Sequence, residues 1–161
     1  MSGRNVAGSL SFIGASAVSA AVMLAGLLKI WEIQSFRTSL ETWTSLPGPV
    51  RDSAAVLVPL LEVGLGAAWL LGLARRRTTM LLAIMIASYS GVYFWHLVLG
   101  ARPDCNCFGT LLKREADAAQ FPVILARNTA LIGLLLWYFL DARIEPRPLK
   151  ATIEQVDSCA V

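Results

Sequence analysis

The chain has 161 residues, 56% of them hydrophobic and 16% charged, and its mean hydropathy is +0.61. A water-soluble domain of this length rarely sustains that balance, so the composition points to a membrane protein. The net charge of +3 and the pI near 9.0 do not indicate a nucleic-acid binder, because the basic residues flank apolar runs instead of forming a stripe.

A helix crosses a bilayer in about 20 residues. Four runs are long and apolar enough: 10–30, 53–74, 80–100 and 121–140. Their only charged residues are Lys29, Glu62 and Arg127. The predicted fold is all-α, an integral membrane four-helix bundle, with a four-span domain over 1–141 and a polar cytoplasmic tail over 142–161.

In the first run, Ala15-Ser16-Ala17 and Val18-Ser19-Ala20 have the small-residue pattern of a leader-peptidase site. The apolar run continues to Ile30, however, as an uncleaved anchor does. The loop over 31–52 follows. Residues 32–43 carry the pattern of an amphipathic helix lying in the interface, and Leu46-Pro47-Gly48-Pro49 is expected to interrupt helix. The second run contains Pro59, which removes one helical hydrogen bond and predicts a kink. Its Gly64, Gly66, Ala67, Ala68 and Gly72 let a neighbouring helix approach closely.

Arg75-Arg76-Arg77 stands in a very short loop before the third run and so should be cytoplasmic. Four spans then put both termini in the cytoplasm. Seven basic residues fall inside (Arg4, Arg75, Arg76, Arg77, Arg143, Arg147, Lys150) and five outside (Arg37, Arg51, Arg102, Lys113, Arg114). The third run carries Tyr89, Tyr93 and His96 on one stripe. Trp31 and Trp95 mark one membrane interface, and Trp69, Trp137 and Tyr138 the other.

The loop between the third and fourth runs holds Cys105-Asn106-Cys107-Phe108-Gly109. Under this topology it is extracytoplasmic, where disulfides persist. A disulfide in C-x-C spacing closes a very small ring, and strained, exposed disulfides exchange readily. A redox-active pair, a disulfide that merely tightens a turn, and a metal site are the three readings. Metal is disfavoured because zinc wants about four ligands and only His96 adds a soft ligand on that side. Cys159, in the tail, falls on the opposite side of the membrane.

Charges inside spans are costly and should face the bundle interior. Glu62 lies roughly 14 Å and Arg127 roughly 9 Å below the outer surface, counted at helical rise. Lys29 and His96 are near the outer ends of their spans. Glu62 paired with Lys29 or with Arg127 would neutralise the charge. Such a polar pocket beneath the loop would raise the thiolate fraction of a nearby cysteine; alternatively it is an ion pair that fixes packing, with Lys29 snorkelling outward. His96 suits either polar packing or proton handling, and Asn128 an interhelical hydrogen bond.

These residues resemble the MauE family, the methylamine-utilisation membrane proteins grouped with DoxX-like four-helix proteins. The resemblance rests on Gly26-Leu27-Leu28-Lys29, Pro59-Leu60-Leu61-Glu62, Cys105-Asn106-Cys107-Phe108-Gly109 and Arg127-Asn128. The centre of the C-x-C is often glycine in such proteins; Asn106 also tolerates a left-handed backbone. The resemblance implies a role in maturing an extracytoplasmic protein, in methylamine utilisation the disulfide-rich small subunit of methylamine dehydrogenase.

The expectation is therefore a membrane thiol–disulfide factor in the cytoplasmic (inner) membrane. Cys105 and Cys107 would exchange electrons with a thioredoxin-like or disulfide-containing partner. Glu62, Lys29, His96, Arg127 and Asn128 would shape the pocket and handle protons, and Phe108 and Gly109 would complete the motif loop. No metal or cofactor is identified; a quinone could accept the electrons, but no quinone motif is present. A non-enzymatic assembly scaffold is the alternative, and a small-solute carrier, which would have to be a homo-oligomer, a further one.

Overall fold

The computed structural model describes residues 2–43, 47–100 and 120–144. The described residues form five helices: α1 (Ser2–Trp31), α2 (Ile33–Glu41), α3 (Gly48–Leu70), α4 (Arg75–Val98) and α5 (Gln120–Ile144). All but α2 are long and apolar enough to cross a membrane, over Ala7–Trp31, Gly48–Leu70, Arg75–Val98 and Pro122–Asp141. The long helices close a ring in which α1 packs on α3 and α5, and α4 packs on α3 and α5. The bundle is apolar on its outer surface, unlike a soluble one. Leu57, Leu60, Leu61, Met80, Leu81 and Ile84 point outward, while Ser19, Lys29, Glu62, Thr79, His96 and Asn128 are buried. An apolar exterior with the polar groups kept inside suits hydrocarbon as the solvent.

Three helix boundaries depart from the sequence reading. Prolines 47 and 49 begin α3 instead of interrupting helix: Pro47 occupies the N-cap and Pro49 the first turn, where a missing N–H costs nothing. The second span thus starts at Gly48. It ends at Leu70 because the chain reverses over the next four residues, with positive φ at Gly72 (80°) and Ala74 (44°). The three arginines are not a loop; they form the first turn of α4. Helix α2 is the expected amphipathic segment, but its Phe36 and Leu40 are buried against Ala55 of α3.

Two glycines set the tight α1–α3 contact. A Cβ at Gly66 would lie 2.7 Å from Met23 Cβ and 2.8 Å from the Ser19 carbonyl oxygen. One at Gly26 would meet Glu62 Cβ at 2.8 Å and the Pro59 carbonyl oxygen at 2.9 Å. Small residues at such crossings let backbones approach, the main source of packing energy where lipid is as apolar as leucine. Gly64, expected to do the same, has open space around it.

The core joins Ala15, Val18 and Val22 of α1 to Trp69, Leu82, Ile86 and Leu135. Trp69 is no interfacial belt residue: it is 1% exposed, and its Nε1 donates to Thr79 Oγ1 at 2.9 Å. A buried indole N–H needs an acceptor, and the α3–α4 hairpin supplies one. Thr79 Oγ1 in turn donates to the Arg75 carbonyl at 2.7 Å. The rings of Phe12 and Tyr138 pack on Trp69 at 5.5 Å each. At the same end Ser11 donates to Asp141 Oδ2 at 2.7 Å, tying α1 to α5.

Candidate functional site

The opposite end of the bundle, where α2 sits, holds most of the intramembrane polar groups. Lys29 stands in the last turn of α1, and Glu62 lies midway along α3. Lys29 Nζ donates to Glu62 Oε1 at 2.5 Å and to Oε2 at 2.7 Å. The residues are 5% and 4% exposed, so the pair is closed off from lipid and water. Lys29 therefore does not snorkel. The ring of Phe36 lies 5.5 Å and that of Tyr89 6.0 Å from the ammonium, adding cation–π attraction. Four helices, α1 to α4, thus contribute to one charge pair.

His96 occupies the last turn of α4 and is 1% exposed. Its Nδ1 is 2.9 Å from the Val92 carbonyl oxygen. A carbonyl only accepts, so Nδ1 carries the proton there, and in the neutral ring Nε2 holds the lone pair. Trp43, just beyond α2, meets the His96 ring edge-on at 4.9 Å and the Tyr93 ring at 6.3 Å. The stripe of Tyr89, Tyr93 and His96 expected on the third span therefore faces α2 and the Lys29–Glu62 pair.

Helix α5 adds Asn128, which donates to Ser90 Oγ of α4 at 2.9 Å, and Ser90 donates to the Ile86 carbonyl at 2.9 Å. This is the interhelical hydrogen bond expected of Asn128. Arg127 is half-buried, with Nε 3.4 Å from Asn128 Oδ1. Cys105, Cys107, Phe108 and Gly109 lie outside the described residues, as does Cys159. Among the described residues, no three His, Cys, Asp or Glu side chains cluster as metal ligands.

The family model described as methylamine utilisation protein MauE matches residues 8–141. The chain belongs to the MauE family. The match takes in all four spans, the Lys29–Glu62 pair and the Cys105-Asn106-Cys107 segment. With its four spanning helices, this MauE-family chain is a multi-pass membrane protein. No curated protein and no solved structure matches it.

Sequence reasoning singled out Lys29 and Glu62 in the MauE-family chain but left Glu62 between two cations. Lys29 takes both carboxylate oxygens. The reading missed Phe36 and Tyr89 as walls around the ammonium, Trp43 as the ring against His96, and Ser90 as the acceptor for Asn128. Tyr89 shares a helical stripe with His96, a signal that could have found it; Phe36 and Trp43 come from a segment whose placement is set by packing alone.

Proposed function

We propose that this MauE-family protein is a membrane thiol–disulfide factor that supports maturation of an extracytoplasmic protein in methylamine utilisation or a related pathway. Its setting is the cytoplasmic membrane, with both termini in the cytoplasm and the Cys105–Cys107 loop outside. The observation that carries the proposal is the family match across 8–141, which includes the C-x-C segment. The buried polar end of the bundle supports it. Helix α4 ends close to the buried His96, at the end of the bundle that also holds Lys29 and Glu62.

The exchange conserves two electrons. A thiolate of the pair attacks a partner disulfide; the partner S–S bond breaks, a mixed disulfide forms, and one partner thiolate leaves and takes a proton. The second cysteine then attacks the mixed disulfide. The partner leaves as a dithiol and Cys105–Cys107 as a disulfide; the reverse sequence oxidises a partner dithiol. Lys29, Glu62, His96, Arg127 and Asn128 shape the polar pocket and handle protons.

A membrane-impermeant, mass-adding thiol reagent on intact cells tests this. Labelling of Cys105 and Cys107 only after mild reduction is expected, with a Cys107→Ser variant trapping a mixed disulfide. Permanently free thiols, labelling only from the cytoplasm, or full activity in Cys105→Ser/Cys107→Ser would leave a non-enzymatic assembly scaffold as the reading. The complete pairing of Lys29 with Glu62 is compatible with such a bracing role.

A further inference from the structure

The arginine end of the bundle has a chemistry that the thiol–disulfide reading does not use. The Arg75 guanidinium carbon lies 5.2 Å from the Phe12 ring centroid and 5.6 Å from that of Trp69. That of Arg76 lies 5.2 Å from the Phe139 ring. Phe12, Trp69 and Phe139 belong to α1, α3 and α5, so the start of α4 is pinned to all three other spans. Stacking occupies the face of a guanidinium and leaves its in-plane N–H donors for other partners. The Arg75 head lies over the exposed turn after α3, with Nη2 3.3 Å from where a Cβ on Gly72 would stand.

Among the described residues, none of Arg75, Arg76 and Arg77 forms an ion pair, and the buried Nε of Arg75 has no hydrogen-bond partner. Asp141, at the same end, accepts from Ser11. A half-buried cation with no counter-charge among the described residues can be met by an anion from outside the chain. The surroundings specify which kind. Leu70, Leu71 and Leu73 before the arginines and Met80 and Leu81 after them are exposed apolar side chains at the ends of two spans. An occupant that matches both features carries a phosphate next to hydrocarbon.

We propose that Arg75 and Arg76, with Arg77 beside them, bind the phosphodiester headgroup of an anionic phospholipid. The planar fork of arginine suits bidentate phosphate contacts. Its pre-stacked geometry makes this a site and not a diffuse positive surface.

The test uses the full chain in phosphatidylcholine bilayers containing trace spin-labelled phosphatidylglycerol or spin-labelled phosphatidylcholine. Electron paramagnetic resonance reads the protein-associated fraction of each. Wild type should favour phosphatidylglycerol on the order of fivefold or more. R75Q/R76Q should bring the ratio close to one. R75K/R76K, which keeps the charge but not the planar stack, should also lose most of the preference. Equal association of the two lipids with wild type overturns the proposal, whatever the variants do. Full preference in R75K/R76K overturns it too, since general surface charge would then suffice.

Discussion

Gly26 of α1 faces Glu62 of α3 so closely that a methyl at position 26 would stand 2.8 Å from the Glu62 Cβ. The residue that lets the helices touch therefore also sets the reach between Lys29, one turn further along α1, and its carboxylate partner. Packing and charge neutralisation are one contact, which makes both testable with few substitutions.

Gly26→Val should destabilise the protein by about 1–3 kcal/mol, the usual cost of overpacking, because Glu62 Cβ and the Pro59 carbonyl leave no room. Gly64→Val, on the facing helix α3 but with open space around it, should be near neutral. Thermal unfolding of both variants in lipid nanodiscs checks this; equal losses would mean that α1 and α3 are not closely apposed at Gly26.

Lys29→Met removes the ammonium and leaves Glu62 buried without its Lys29 partner, a change that costs about 3–5 kcal/mol in buried pairs. Lys29→Met/Glu62→Leu should recover most of that loss. A double-mutant cycle on unfolding free energy supplies the coupling. Additive losses would show the two residues to act independently. A stable double variant that also retains full partner oxidation would show that the pair braces the bundle and takes no part in the chemistry.

Thr79→Val should cost about 1–3 kcal/mol, since it leaves the Trp69 indole N–H buried without its acceptor. Thr79→Ser keeps the hydroxyl and should stay close to wild type. Unfolding followed by tryptophan emission distinguishes the two; a Thr79→Val protein as stable as wild type would argue against the hydrogen bond.

Ser90→Ala should cost about 0.6 kcal/mol and at most about 1.7, the range for interhelical hydrogen bonds in membranes. Asn128 would keep only its amide oxygen contact with Arg127. Asn128→Leu should lose a similar amount, and the double variant no more than either. Stability in nanodiscs of the three proteins reports the result.

Much of the architecture was legible because it is written locally. Long apolar runs specify spans, and charges within them mark interior faces, since hydrocarbon penalises any other placement. Lys29 and Glu62 were found that way. The helix starts were less legible. Pro47 and Pro49 look like breakers until they are seen to start α3, and Arg75 to Arg77 look like a loop although arginine is a good helix former. Trp69 shows the limit from the other side: aromatic belts are a statistical pattern, and a tryptophan with a threonine acceptor across a hairpin goes inside.

The sequence by itself therefore determined the membrane class, the number of spans, the charged residues that had to be sheltered, and the family. The first three follow from composition and from the length of apolar runs, and the family from short motifs, all of them properties of neighbours along the chain. Only the tertiary structure decided that Glu62 pairs with Lys29, that Phe36 and Tyr89 flank the ammonium, and that Phe12 and Trp69 cover Arg75. Those choices depend on the register of one helix against another, which Gly26 and Gly66 set through backbone contact. Register is a distance across the bundle, and no local pattern encodes it.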